Sequence, residues 1–340
     1  MKFIRFLLFP FAVLYDVITR IRNWGYDIQL FKSTKFNIPI IAVGNLSVGG
    51  TGKTPQVEYL VELLQQDYKL AILSRGYRRK TKGYVVADDS KTADDVGDEP
   101  FQYFLKFPNV SVAVCESRVE GIRNLQSQKK PDIILLDDAF QHRKVAPSFS
   151  VLLTKYQDLF IHDFLLPTGN LRESQSGAHR SDVIIVTKTA PDITDDEKKL
   201  ISKQLARFKK PIFFSGISYD DKLKGALNLA IQKLTNYKVL VLTGIANPEP
   251  LVNYLKDQNI HCKHLNYPDH HNFTDKDLSD IRSVFEVISA EKKLILTTEK
   301  DFVRLNGKIE GLSYLSIKSS FLNAEEQVRF NAKILSHVKQ

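Results

Sequence analysis

Gly44-Asn45-Leu46-Ser47-Val48-Gly49-Gly50-Thr51-Gly52-Lys53-Thr54 follows an apolar run, Ile38 to Val43, and precedes a helix-like stretch. A strand, a glycine-rich turn and a helix start in that order describe a phosphate cradle. Glycines let backbone N–H groups point inward at an anion, and the helix N-terminus adds partial positive charge. In such a loop Ser47, Val48, Gly49, Gly50, Thr51 and Gly52 wrap the phosphates, and Lys53 reaches the β- and γ-phosphates. The Thr54 hydroxyl ligates Mg²⁺. Ser47 stands where the strict pattern has glycine, but Gly49, Gly50 and Gly52 keep the loop permissive. The segment points to a nucleoside triphosphate.

Phosphoryl transfer also needs carboxylates. The apolar run Ile133–Leu136 ends in Asp137-Asp138, placed to hold Mg²⁺ or its waters opposite Thr54, or to cap a turn. Asp98 and Glu99 lie at a loop-to-helix junction before Pro100, as candidates for a base or a metal ligand, or as N-terminal caps. Asp269-His270-His271 is a Pro-led loop in which one histidine can pair with a carboxylate. Pro167-Thr168-Gly169-Asn170-Leu171-Arg172-Glu173 is a turn with Arg172 free to fork onto a phosphate or to pair with Glu173.

An alternating α/β rhythm positions these residues. Runs reading as buried parallel strands are Ile38–Val43, Leu70–Leu73, Val110–Val114, Ile133–Leu136, Ser150–Leu153, Val183–Val186 and Ile212–Phe214, with a helix over Gln56–Gln66. Tyr219–Gly225 dilutes the pattern as a hinge would. A second α/β unit has strands Lys238–Leu242 and Leu294–Thr297, with helices Pro248–Gln258 and Asp275–Ser289. The expected fold is a P-loop NTPase-like, mostly parallel sheet with helices on both faces, plus a smaller α/β unit across a hinge. The expected divisions are an N-terminal interface helix over 1–24, a nucleotide-binding core over 25–220 and the smaller unit over 221–340, whose last residues are free to pack back on the core. The polar motifs follow strand carboxyl ends, the edge at which open α/β sheets bind ligands.

The chain has 340 residues, 43% hydrophobic and 26% charged, as in a globular protein. Its 48 basic against 39 acidic residues give +9, which suits an anionic partner. The basic residues are dispersed and no nucleic-acid-binding motif accompanies them, so nucleic acid is not expected. Cys115 and Cys262 make no disulfide framework or cysteine-based zinc site. Near the start, Phe3, Ile4, Phe6, Leu7, Leu8, Phe9, Phe11, Val13, Leu14 and Tyr15 crowd together among Lys2, Arg5, Arg20 and Arg22. Arg5, Pro10 and Asp16 interrupt the run too early for a bilayer span. It reads as an interfacial helix or as a helix packed on its own domain.

The cradle through Pro55, with Leu73-Ser74-Arg75-Gly76-Tyr77, Gly97–Pro100, Leu136-Asp137-Asp138-Ala139-Phe140-Gln141-His142-Arg143, Pro167–Glu173, Asp269–His271 and Thr297-Thr298-Glu299-Lys300-Asp301, resembles the tetraacyldisaccharide 4′-kinase family, in order and over nearly the whole chain. The resemblance implies ATP and Mg²⁺, and phosphorylation of the 4′-hydroxyl of an acylated glucosamine disaccharide at the cytoplasmic face of a Gram-negative inner membrane. It implies Asp98 as base, with His270 favoured over His271 as its partner. Arg75, Arg118, His142, Asn170 and Arg172 are the candidates for the substrate side. The N-terminal helix would touch the membrane, and no obligate protein partner is expected. A P-loop GTPase or ATPase acting as a switch or partner-bound chaperone is the alternative.

Overall fold

The computed structural model describes residues 5–339, so Lys2, Phe3 and Ile4 of the N-terminal apolar run lie outside the described residues. Helix α1 (Phe9–Asp27) comes first. Strand β1 (Ile40–Asn45) leads through the glycine loop into α2 (Lys53–Leu64), followed by β2 (Leu70–Ser74) and β3 (Val85–Val86). Then come α3 (Ala93–Val96), α4 (Asp98–Lys106), β4 (Ser111–Val114), α5 (Arg118–Gln128), β5 (Ile133–Asp137), β6 (Phe149–Lys155), β7 (Val183–Thr187), α6 (Asp195–Leu205) and β8 (Ile212–Tyr219). The remaining elements are β9 (Lys224–Gly225), β10 (Lys238–Thr243), α7 (Glu249–Asp257), β11 (Cys262–Asn266), α8 (Asp275–Glu286), β12 (Lys293–Thr298), α9 (Glu299–Leu305), β13 (Leu312–Leu315), β14 (Ile317–Phe321) and α10 (Ala324–Val338).

Two sheets result. The larger has the order β14-β8-β7-β6-β1-β5-β2-β4-β3, parallel except at its two edges, where β14 and β3 run antiparallel to their neighbours. The smaller has the order β11-β10-β12-β13-β9, with β9 antiparallel. Interior strands such as β1, β5 and β7 are buried along their whole length, which is why they read as unbroken apolar runs. Period-two alternation divides β1: Ile41 and Val43 pack with Val57, Leu60 and Leu64 of α2, and Ile40 and Ala42 pack with Ile122 and Leu125 of α5. Both faces of the large sheet are therefore covered by helices.

The edge strands, and the short β13 next to one edge, depart from the expected strand list. β3, β9, β11, β13 and β14 are short or polar and carry no continuous apolar run, so periodicity does not announce them. The run expected from Ile38 begins two residues later, beyond Pro39, which has no N–H to give a ladder. The helix expected to reach Ser289 ends at Glu286. Chain direction also differs from a simple tandem, because β14 returns to pair with β8 and α10 buries Phe330, Ile334 and Val338 in the large core.

Helix α1 is turned inside out relative to a core helix. Its buried residues are Ala12, Thr19 and Gly25, while Leu14, Ile18 and Trp24 are 58%, 57% and 59% exposed. Polar groups hold its inner side: Tyr15 Oη donates to the Arg172 carbonyl at 2.8 Å, and Asn23 Nδ2 donates to Glu173 at 2.9 Å. Arg5 adds hydrogen bonds to Pro167, Gly169 and Asn170. Among the described residues no helix is long and apolar enough to cross a membrane.

Candidate active site

The glycine loop hangs from the carboxyl end of β1. Gly44 has to be glycine, since a Cβ there would lie 2.6 Å from Cβ of Phe140. Gly49 and Gly52 take left-handed φ values of 100° and 82°, and nothing lies within 4 Å of where a Gly49 side chain would start. The loop is pinned from below and beside. Asn45 Nδ2 donates to Thr51 Oγ1 at 2.8 Å, Thr187 Oγ1 donates to the Thr51 carbonyl at 2.8 Å, and Val48 N–H donates to the Asn170 carbonyl at 2.8 Å. Ser47 is buried and bridges Leu171. Lys53 and Thr54 open α2 immediately afterwards.

Asp137 and Asp138 differ sharply. Asp137 is buried at the end of β5, where burial and the neighbouring Asp138 charge push its carboxyl up to about 7. Its Oδ2 accepts from Ser74 at 3.3 Å, and its Oδ1 has no hydrogen-bond partner. Asp138 takes a left-handed φ of 48° and faces two cations. Burial opposes its charge, but Lys53 at 3.5 Å and Arg172 at 3.0 Å outweigh burial and hold it below the usual carboxylate range. An orphaned buried carboxylate oxygen close to Lys53 fits a divalent cation, and the open, donor-rich loop fits a polyphosphate. No cluster of three metal-ligating side chains exists among the described residues. Mg²⁺ in such sites takes most of its ligands from water and phosphate, so one or two carboxylates with Thr54 suffice.

The second group of residues meets across the two sheets. Asp98 opens α4 of the large unit, and His270 sits at φ 57° in the loop after β11 of the small one. Their Oδ2 and Nδ1 atoms are 3.1 Å apart. Lys300 Nζ lies 3.0 Å from Nε2 of His270 and Arg304 Nη2 lies 2.9 Å from its Nδ1, so cationic donors face both ring nitrogens of the histidine that meets Asp98. Arg304 completes the cluster, its Nη2 2.6 Å from Asp98 Oδ2. Burial alone would raise the Asp98 carboxyl, but the His270 hydrogen bond and the Arg304 guanidinium hold it down at about 2. His271 turns the other way, with Nε2 3.0 Å from Asp277, the residue that closes the cap of α8. Glu99 lies 3.8 Å from Lys300.

The remaining candidates divide. Arg118 is 2% exposed, donates to the Cys115 carbonyl at 2.7 Å and braces the backbone of Asp137, so it lies beneath the site and not on its surface. Arg75 is exposed above it. His142 is kept neutral, its ring pushed down to about 4 by burial and by Arg118 and Arg75. Arg172 does not pair with Glu173: the arginine goes to Asp138, while Glu173 is buried against Arg180 at 2.8 Å. Asn170 spends its carbonyl on the loop and its side-chain oxygen on Arg5.

Sequence reasoning missed Lys300 and Arg304 as site residues. The signal is there: they stand four apart, on one face of a helix that starts at a strand's carboxyl end. Lys188, one of the polar residues expected at the ligand-binding edge of the sheet though not among the site candidates, has its Nζ 3.8 Å from where a Cβ at Gly50 would lie.

Comparison with known proteins gives one answer. A family model described as tetraacyldisaccharide-1-P 4′-kinase matches residues 4–339. A tetraacyldisaccharide 4′-kinase of Flavobacterium psychrophilum is 51% identical over 100% of this chain and 98% of its own length. One of Bacteroides thetaiotaomicron is 40% identical, over 98% and 93%. The crystal structure of an "apo" form LpxK from Aquifex aeolicus in complex with ATP superposes with a TM-score of 0.78 at 31% identity, covering 97% of this chain and 98% of that one.

Proposed function

The chain belongs to the tetraacyldisaccharide-1-P 4′-kinase family, and from that premise we propose how its residues divide the work of phosphoryl transfer. It is an ATP-dependent kinase that phosphorylates the 4′-hydroxyl of a tetraacylated glucosamine disaccharide 1-phosphate, the lipid A precursor. The switch or chaperone alternative is not favoured. The observation that carries the residue roles is the 3.1 Å approach of Asp98 and His270 from different sheets.

In this reading residues 47–54 hold the triphosphate through backbone N–H groups and the Lys53 ammonium. Thr54 with Asp137 or Asp138, and Glu99 nearby, would hold Mg²⁺, which when bound neutralises charge on the β- and γ-phosphate oxygens. Asp98 orients the 4′-hydroxyl and takes its proton as the new bond to the γ-phosphorus forms and the bond from that phosphorus to the β-phosphate oxygen breaks, releasing ADP. His270, 3.1 Å away through Nδ1, fixes the carboxylate in place. A carboxylate held at about 2 is a weak base, but in a loose transition state the hydroxyl loses its proton late, so alignment matters more than basicity. Arg75, His142 and Arg172 face the acceptor side, and Arg118 supports them from below.

The outward apolar face of α1 is assigned to the membrane interface, at the cytoplasmic face of the inner membrane. Exposed Phe11, Leu14, Ile18 and Trp24 support that reading, because soluble surfaces rarely carry such a contiguous patch.

The test is transfer of labelled γ-phosphate from ATP to the tetraacyl disaccharide in mixed micelles, with Asp98→Ala and Lys53→Ala alongside. Labelled lipid from wild type and its loss in both variants is expected. An Asp98→Ala enzyme with wild-type kcat would remove the base assignment.

A further inference from the structure

Three helices start at the site and each presents different chemistry: α2 with Lys53 and Thr54, α4 with Asp98 and Glu99, α9 with Lys300 and Arg304. One ammonium joins them. Lys106, the last residue of α4, places Nζ 2.7 Å from Oε2 of Glu58 on α2 and 3.0 Å from Oε2 of Glu299, the first residue of α9. The three side chains are only 9%, 4% and 7% exposed. Gln102, one turn before Lys106, donates to the other Glu58 oxygen at 2.8 Å, so that carboxylate is held at both ends.

As a source of stability this is a poor arrangement. Two buried carboxylates surround one cation, and burial pushes Glu58 up to about 7 against the pull of Lys106. Apolar side chains of similar volume in such a place are often as stabilising or more so. What a buried ion cluster supplies instead is direction and register. Here the register is between units: α2 and α4 pack on the large sheet, while α9 follows β12 of the small one.

We propose that Lys106 is a positioning residue for phosphoryl transfer, tying Glu58 to Glu299 so that the helix bearing Lys300 and Arg304 is set against the helix bearing Lys53. The proposal rests on the Asp98 and His270 roles above. Lys106 touches neither nucleotide nor acceptor. It acts through α9, whose Arg304 and Lys300 grip Asp98 and His270, and through its own helix, which begins at Asp98.

The experiment uses the full-length enzyme with Lys106→Met, Lys106→Arg and Glu299→Gln, measuring kcat in mixed micelles, ATP Kd by calorimetry and thermal unfolding. Misregister on the ångström scale costs about 10–100-fold in rate. The expected result is a kcat loss of that order in Lys106→Met and Glu299→Gln, little change in ATP Kd, and substantial recovery in Lys106→Arg. Glu299→Gln keeps the Lys106–Glu58 pair, so it remains informative should Lys106→Met not fold. A purely structural triad would lower Tm and leave kcat of the folded enzyme as in wild type; that outcome overturns the proposal. Asp98→Asn in the same series separates the two assignments. If it retains kcat the base reading fails, whereas if it loses kcat while the triad variants keep theirs, only the positioning role falls.

Discussion

The Arg304 guanidinium lies 2.6 Å from the Asp98 carboxylate, though the two residues are 206 positions apart and belong to different sheets. With the His270 hydrogen bond, this contact outweighs burial and holds the Asp98 carboxyl below the usual carboxylate range. A folded value below the unfolded one means that the group's stabilising contribution is fully present above about 4 and is lost as pH falls through about 2.

Arg304→Gln should therefore raise the Asp98 carboxyl toward the ordinary range. Carboxyl-carbon NMR titration of Asp98 is the direct measurement, and the acidic limb of kcat/KM should move up with it. An unshifted titration would mean that His270 alone sets the value.

Asp137 has the opposite sign. Its folded value near 7 exceeds the unfolded one, so ionisation destabilises the fold progressively between about pH 4 and about 7. Asp137→Asn stays neutral and keeps an oxygen for the Ser74 hydroxyl. Its Tm relative to wild type should improve from pH 5 to pH 8 in the absence of Mg²⁺. Parallel Tm–pH curves would contradict a raised Asp137.

Lys53→Ala removes the loop cation and one of the two partners of Asp138, leaving Arg172. Loss of one preorganised electrostatic contact to transferring phosphate costs about 10²–10³ in kcat. Quenched-flow single-turnover measurements should show that loss in the chemical step; a change confined to KM would assign Lys53 to binding alone.

Leu14→Glu with Ile18→Glu places two charges on the outward face of α1 without touching Tyr15 or Asn23, which dock the helix. Sedimentation with anionic vesicles should fall several-fold while ATP Kd stays unchanged. Undiminished vesicle binding would move the membrane contact elsewhere.

Much of the fold was legible because the interior parallel strands are buried on both faces, so Ile133–Leu136 and Val183–Val186 read as unbroken, β-branched-rich apolar runs of strand length. Cys262–Asn266 and Ile317–Phe321 are edge strands with polar residues interleaved, and no pattern separates them from loops. At the site, the glycine loop declares itself through local backbone demands. His270 and His271 do not: adjacent residues leave the chain in different directions, and only tertiary placement sends one to Asp98 and the other to Asp277. Arg304 offered only its spacing four residues after Lys300 on one helix face, since its partner comes from the other sheet.

The return of β14 and α10 to the large sheet sets the timetable of synthesis. When Tyr219 leaves the ribosome, the outer edge of β8 has no neighbour, and the hollow that Phe330, Ile334 and Val338 will fill is open beside Val57 and Phe213. Both stay uncovered while 220–316 is translated, which at about 5–20 residues per second is a matter of seconds. The nascent chain thus carries a bare strand edge and an unfilled apolar hollow for that interval, a substrate for chaperones until its own C-terminal helix arrives.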